Sequence, residues 1–348
     1  MKIGIYSPYF QTLGGGERYV FTAAEFFLQR GDQVNIFWDK DDNVKKIKAR
    51  FDIDLSSANF VTNIISKTNF ISKIVRTAEY DLLFILSDGS IPSTLAKRNI
   101  LHFQTPFNYF DKRSLASKIK LLKYSAVICN SEFTKKYIDK TFRIDSQVIY
   151  PPVDVEKFSS GKKENIILSV GRFFGSPQSK KQEVLIDAFK RSNFIKWRLV
   201  LIGGLTLGFE KDVFRLKKQI EGFPIDIIPN SNFFTLQKYY SLAKIYWHAA
   251  GFGEDLNKFP ERAEHFGIAT VEAMAAGAVA IVFDGGGQKE IITEGKNGFF
   301  WNTIPELIKK TQKIIADNEL YKSVSTNAQI RSYDFSKKVF FQKLNEIT

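Results

Sequence analysis

The sequence predicts an α/β protein built from two doubly wound, Rossmann-like parallel-sheet domains. Short β-rich runs alternate with helical patterns, which is how a parallel sheet with crossover helices reads. The alternation stops at Pro151-Pro152 and starts again at residue 165. A length of 348 residues fits about two domains, and 44% hydrophobic with 25% charged residues is the composition of a core-forming chain.

In the first half, residues 2–7 form a strand, and residues 17–29 a helix stopped by Gly31. Residues 33–38, 80–86, 99–104, 126–130 and 147–150 supply further strands, and residues 133–139 the clearest intervening helix. Two successive prolines then force an extended, stiff connection. After it come strands at 165–170, 198–202, 225–228, 245–247 and 279–283, with helices at 182–191, 211–220, 236–243 and 269–276, the last capped by Gly277. Beyond Trp301 the pattern is helical. The predicted organisation is a domain over 1–154, a second over 155–330, and a terminal helix within 331–348 that returns to the first. Facing domains of this kind place the C-terminal ends of both sheets around a central cleft, where function is expected.

The longest apolar runs, 82–86 and 278–283, fall far short of the roughly eighteen residues of a membrane span. Residues 1–10 read as a first strand, not a signal peptide, and a cytoplasmic location is expected. One cysteine, Cys129, excludes an internal disulfide and any multi-thiolate metal site, and three histidines make a histidine metal cluster hard to build. The net charge of +13 divides into +7 for residues 1–150 and +6 for the rest. So even a spread describes a solvated surface, and no nucleic-acid partner is expected.

Three stretches carry chemistry. Gly14-Gly15-Gly16-Glu17-Arg18 joins the first strand to the first helix, where backbone N–H groups can cradle a phosphate. Tyr19 stands where a dinucleotide fingerprint needs a third small residue, which disfavours NAD. Gly171-Arg172 ends a strand, and the loop 173–179, with Pro177 and Gln178, leads to Lys180-Lys181. A guanidinium and an ammonium there suit a diphosphate, with the choice between the two lysines left open. In the run 264–277, Glu264 and Glu272 stand eight residues apart around a loop-to-helix transition. Its free N–H groups near Phe266, Gly267 and Ile268 suit a nucleotide diphosphate sugar, with Glu272 taking the ribose diol.

Together with Ser7-Pro8, Asn130-Ser131-Glu132-Phe133, Tyr150-Pro151-Pro152-Val153-Asp154, Ser169-Val170-Gly171-Arg172 and Gly285-Gly286-Gly287, these stretches make the chain resemble a retaining GT-B glycosyltransferase of family four. The Gly-Gly-Gly-Glu-Arg and Glu-His-Phe-Gly-Ile forms are most similar to α-mannosyltransferases that use GDP-mannose on lipid-linked acceptors. The resemblance implies that Gly15 and Gly16, with Arg172 and Lys180, bind the donor diphosphate. Lys180 is preferred because it lies nine residues before Phe189. Glu264 and the backbone of Phe266, Gly267 and Ile268 would hold the transferred sugar and phosphate, and Glu272 the ribose. His102, at the end of the strand 99–104, corresponds to a cleft histidine beside the donor sugar. His248 and His265 rank second.

Such an enzyme is expected to retain configuration and to need no metal or other cofactor, since charge develops on phosphate oxygens that Arg172 and Lys180 face. Asp52-Ile53-Asp54 has a metal-binding form but falls on a polar surface stretch. Competing readings are a UDP-sugar donor, a glycosidase, an epimerase or phosphorylase, and a non-catalytic nucleotide-sugar or polyanion-binding module; product analysis separates them. Residues 112–123 carry five basic residues and no acid, with Leu115, Ile119 and Leu122 on one helical face. That helix either packs on its own sheet or rests peripherally on an anionic membrane.

Overall fold

A computed structural model describes residues 1–39, 43–65, 70–108, 115–173, 179–205 and 208–348. The chain divides into unit 1, Met1–Pro152 with Lys338–Thr348, and unit 2, Val153–Lys337.

In unit 1, strands β1 (Lys2–Tyr6), β2 (Gln33–Phe37), β3 (Asn59–Val61), β4 (Leu82–Leu86), β5 (Arg98–Phe103), β6 (Ala126–Cys129) and β7 (Gln147–Val148) form a parallel sheet in the order β3-β2-β1-β4-β5-β6-β7. Its helices are α1 (Gly15–Gln29), α2 (Asn43–Phe51), α3 (Phe70–Thr77), α4 (Leu115–Leu121) and α5 (Glu132–Phe142). The order reverses between β1 and β4, and in such sheets ligands bind beyond the carboxyl ends of the strands at that switch. Because alternate residues of a strand face opposite sides, β5 sends Ile100 to the core under α1 and Leu101 and Phe103 to the other face. Ser131 caps α5 by accepting the Thr134 amide at 3.0 Å.

In unit 2, β8 (Glu164–Val170), β9 (Arg198–Gly203), β10 (Ile225–Pro229), β11 (Ala243–His248), β12 (Val279–Phe283) and β13 (Gly298–Trp301) pair in parallel as β10-β9-β8-β11-β12-β13. The switch lies between β8 and β11. Helices α6 (Gln182–Arg191), α7 (Glu210–Gln219), α8 (Phe233–Leu242), α9 (Ile268–Ala275), α10 (Gln288–Ile291), α11 (Ile304–Ala316) and α12 (Asn318–Ser332) belong to this unit. Asn232, Thr303 and Asp317 cap α8, α11 and α12 with their side chains. Trp247 and Trp301 are fully buried in one core layer, where the Trp247 indole donates to Thr311 Oγ1 at 3.0 Å. A buried indole N–H needs such a partner.

The final helix α13 (Lys337–Ile347) puts Phe340 and Leu344 into the unit 1 core, the Phe340 ring edge-on to Tyr19 at 4.9 Å. Within unit 2, Val153 N–H donates to Phe335 O and Lys337 N–H to Val153 O, each at 3.0 Å. The strand edges differ from the sequence reading by one or two residues, and the edge strands β3 and β13 are additions to it. The loop positions 174–178, with Pro177 and Gln178, and residues 112–114 of the basic segment lie outside the described residues.

Candidate active site

Unit 2 gathers its charged groups at the switch between β8 and β11. β8 leads into Gly171 and Arg172, and β11 ends at His248. Glu264 stands between them: its Oε2 accepts from Lys180 Nζ at 2.6 Å and lies 2.8 Å from His248 Nε2. Burial alone would raise the Glu264 pKa, but the Lys180 charge and the hydrogen bonds from His248 and Lys180 outweigh it and hold the carboxyl well below the usual range. Burial likewise lowers the His248 pKa, against the pull of Glu264, so the ring is neutral at pH 7. A neutral ring that donates through Nε2 leaves Nδ1 as an acceptor, and that nitrogen is buried without a hydrogen-bond partner among the described residues.

The two lysines separate clearly. The stem of Lys180 lies against Gly171. Lys181, in the left-handed region at φ 54° as the N-cap of α6, pairs instead with Glu254 Oε1 at 2.7 Å, and Glu254 also takes Arg262 at 2.8 Å. Arg172, next in sequence to the Gly171 that the Lys180 stem lies against, is exposed and makes no ion pair among the described residues.

The glycine triplet explains how the Glu264 loop is supported. A Cβ on Gly286 would stand 2.1 Å from Glu264 O and one on Gly287 2.3 Å from His265 O, so only bare backbone can lie there. Gly287 N–H donates to Glu264 O at 2.8 Å. Phe266 is buried, edge-on to Phe335 at 5.3 Å. Gly267, the N-cap of α9, has φ 125°, and Ile268 opens the helix. Thr270 N–H donates to Gly267 O at 3.0 Å, whereas the N–H groups of Ile268 and Ala269 come before the intrahelical pattern begins, which suits this end to an anion. His265 Nε2 lies 3.1 Å from Glu261 O, a contact that holds the loop to itself.

Glu272 is buried within α9, not a solvated first-turn residue. Tyr240, fully buried on α8, donates its hydroxyl to Glu272 Oε2 at 2.8 Å. Neither Tyr240 nor the direct role of His248 stood out in the sequence. His248 was legible as the last residue of an apolar strand run, whereas Tyr240 sits in a helix with several other aromatic residues and gave no signal.

In unit 1, Gly15 and Gly16 are the first two residues of α1, and the Glu17 carboxylate accepts the Gly14 amide at 2.7 Å. His102 sits on β5 with its ring stacked on Tyr19, centroids 3.9 Å apart and planes 13° apart. It is fully buried, and burial pushes its pKa down to about 3 against a smaller opposing contribution from the Ile128 backbone. His102 therefore faces the packed layer between the sheet and α1, and the side chain against Gly16 is that of Gln104: a Cβ on Gly16 would meet the Gln104 amide at 2.0–2.4 Å.

Asp52 and Asp54 are exposed at the end of α2, and Asp54 pairs with Lys48 at 3.0 Å. Among the described residues, no group of three or more His, Cys, Asp and Glu is arranged to hold a metal ion. Cys129 is buried, its pKa raised to about 12 by burial. In the basic segment, Ile119 is 56% and Leu122 84% exposed, so these two apolar side chains do not pack on the sheet.

The family model described as "Glycosyl transferases group 1" matches residues 152–331, and that described as "Glycosyltransferase Family 4" matches residues 13–157. A GDP-Man:Man(3)GlcNAc(2)-PP-Dol alpha-1,2-mannosyltransferase of Dictyostelium discoideum is 27% identical over 241 residues, covering 62% of this chain and 45% of its own length. This chain spans about half the length of that relative. An uncharacterized glycosyltransferase of Haemophilus influenzae is 25% identical, with 96% of each chain covered. Among solved structures, Anabaena HepE in complex with UDP superposes with a TM-score of 0.75 at 20% identity, covering 99% of this chain and 98% of that one. A glycosyltransferase from Rickettsia africae gives 0.79 at 18%, covering 99% and 97%. At these identities the likeness is one of fold, the GT-B fold of two Rossmann-like domains.

Proposed function

We propose, from the fact that this chain belongs to the glycosyl transferases of group 1, that it moves a hexose from a nucleotide diphosphate sugar to a glycan or lipid-linked acceptor with retention of configuration. Mannose from GDP-mannose is the first donor to test, because relatives along much of the chain are named as GDP-Man mannosyltransferases. A UDP-sugar is the second, because HepE, a solved protein of the same fold, is bound to UDP in one structure and to UDP-glucose in another.

The observation that carries this reading is the Lys180–Glu264–His248 cluster at the unit 2 switch point, beside the amino end of α9. As the bond between the anomeric carbon and the leaving diphosphate breaks, negative charge grows on phosphate oxygens. Arg172, Lys180 and the start of α9 at Phe266, Gly267 and Ile268 answer that charge. The chain's own cations thus take the place a divalent metal would fill, and the proposed reaction needs none. Glu264, kept as a carboxylate by Lys180, accepts hydroxyls of the transferred sugar. Glu272, whose Oε2 accepts the Tyr240 hydroxyl, is assigned to the ribose diol. Incubation with GDP-mannose and with UDP-glucose, followed by analysis of released nucleotide and sugar anomer, tests this. Release of the α-anomer from one donor supports the reading, and nucleotide binding without any turnover would leave the binding-module alternative.

The same proposal includes peripheral contact with an anionic membrane through the basic segment. Its support is the exposure of Ile119 and Leu122 next to Lys118, Lys120 and Lys123. No helix among the described residues is long and apolar enough to cross a membrane.

A further inference from the structure

We infer that Lys163 is a positioning residue for the donor ribose: it ties the carboxyl ends of α8 and α9 together and so sets how Tyr240 meets Glu272. The role rests on the proposed assignment of Glu272 to the ribose diol. Lys163 immediately precedes β8 and is half-buried. Its Nζ donates to Ala276 O at 2.5 Å, to Ala243 O at 2.9 Å and to Tyr240 O at 3.4 Å. Ala276 is the C-cap of α9, Ala243 is the C-cap of α8, and Tyr240 stands in the last turn of α8. Carbonyls at a helix end lack intrahelical donors and carry the negative end of its dipole, so a lysine amine is well matched to them. No carboxylate pairs with Lys163 among the described residues, and its hydrogen bonds all go to these carbonyls. Burial pushes its pKa down to about 7, and the neutral amine still carries two N–H donors.

Tyr240 joins the same two helices a second time. Lys163 holds its carbonyl, while its hydroxyl donates to Glu272 Oε2 at 2.8 Å and lies 3.3 Å from Ala269 O. The ring between these two polar ends is fully buried, edge-on to Phe158 at 5.2 Å. The amine therefore ties α9 to α8 at its carboxyl end, and the tyrosine hydroxyl ties it nearer its amino end. A shift of α8 along or about its axis would carry the hydroxyl away from Glu272, and the Lys163 bridge opposes that shift. A carboxylate held in one orientation loses less freedom when a diol binds to it.

Calorimetry on the full chain tests this with four probes: GDP, 2′-deoxy-GDP, UDP and 2′-deoxy-UDP. The quantity read is the ratio of the Kd of the deoxy nucleotide to that of its parent, which reports the ribose contact and not the diphosphate. The wild-type ratio should be about ten or more for the nucleotide that binds, the effect of a hydrogen bond to a carboxylate. Lys163→Met, which keeps the stem and removes the amine, should lower the ratio about fivefold. Lys163→Gln, which keeps an N–H donor on a shorter side chain, should lower it less, by about twofold. Adding Lys163→Met to Tyr240→Phe should lower the ratio no further than Tyr240→Phe alone, because both act through one hydrogen bond. A lysine that only stabilised the fold would weaken both nucleotides together and leave the ratio as in wild type. An unchanged ratio in Lys163→Met, or in Lys163→Gln where Lys163→Met does not fold, overturns the role of Lys163 alone. A wild-type ratio near one removes Glu272 from the ribose, and this role with it. If neither nucleotide binds the wild-type chain, the donor reading itself falls.

Discussion

Acidification should cost the wild-type chain stability that a His102→Phe variant keeps. His102 is buried, stacked on Tyr19, and its pKa is pushed down to about 3 from the ordinary 6.5. The unfolded chain therefore binds a proton that the folded chain refuses as pH falls below 6.5, so the histidine's contribution is present above that value and is lost progressively toward pH 3. Between about pH 7 and about pH 5 the loss is roughly 2 kcal/mol. Phenylalanine keeps the ring stack and removes the titration; whatever it costs in packing is the same at both pH values and cancels in the comparison. Urea unfolding at the two pH values, followed by hydrogen exchange at the amides of β4 and β5, isolates unit 1 from unit 2. The variant should lose roughly 2 kcal/mol less than wild type on acidification. His248 contributes acid sensitivity to unit 2 in both proteins and does not enter the difference. Equal losses in the two proteins would refute the burial argument and show that His102 is protonated without penalty.

Lys180→Gln leaves Glu264 with His248 and should weaken nucleotide binding tenfold or more, on the order of a charged hydrogen bond, while Lys181→Gln, which leaves Glu254 paired with Arg262, should weaken it much less; calorimetric titration with GDP and UDP compares them. Tyr240→Phe removes the hydrogen bond that orients Glu272 and should raise the donor KM by roughly fivefold with little change in kcat, read from initial rates of donor turnover. Sedimentation with anionic vesicles at low salt should carry down the wild-type chain but not an Ile119→Ser/Leu122→Ser variant; equal sedimentation of the two would remove the membrane contact from the account.

Much of the fold was legible because a parallel sheet writes itself as apolar runs, and residues 82–86 and 279–283 are such runs from end to end. Edge strands are less legible. β3 is three residues long, has no fully buried residue and has two asparagines in or near it, and β13 follows a glycine-containing turn that reads as loop. The helices α2 and α3 are only nine and eight residues long, too short for periodicity alone to separate them from loops. Within the site, Glu264 and Glu272 stood out by spacing, and Lys180 by its position before a helix. The partners that orient them did not: Tyr240 is 32 residues from Glu272, and His248 is 16 from Glu264. Such pairs are made by the sheet order, which brings the end of β11 beside the end of β8. The distinction between His102 and Gln104 was out of reach for a related reason. Both lie at the end of one strand, and only the stack on Tyr19 and the approach to Gly16 decide which is enclosed.

Hydrogen exchange with and without GDP, and with and without UDP, tests most directly whether the carboxyl ends of β8 and β11 and the start of α9 form the donor site. One of the two nucleotides should slow exchange at residues 169–172, 179–182 and 264–272, the segments that carry Arg172, Lys180, Glu264 and Glu272, and leave the amino ends of the unit 2 strands unchanged. Protection located elsewhere in the chain, or none with either nucleotide, would contradict the account.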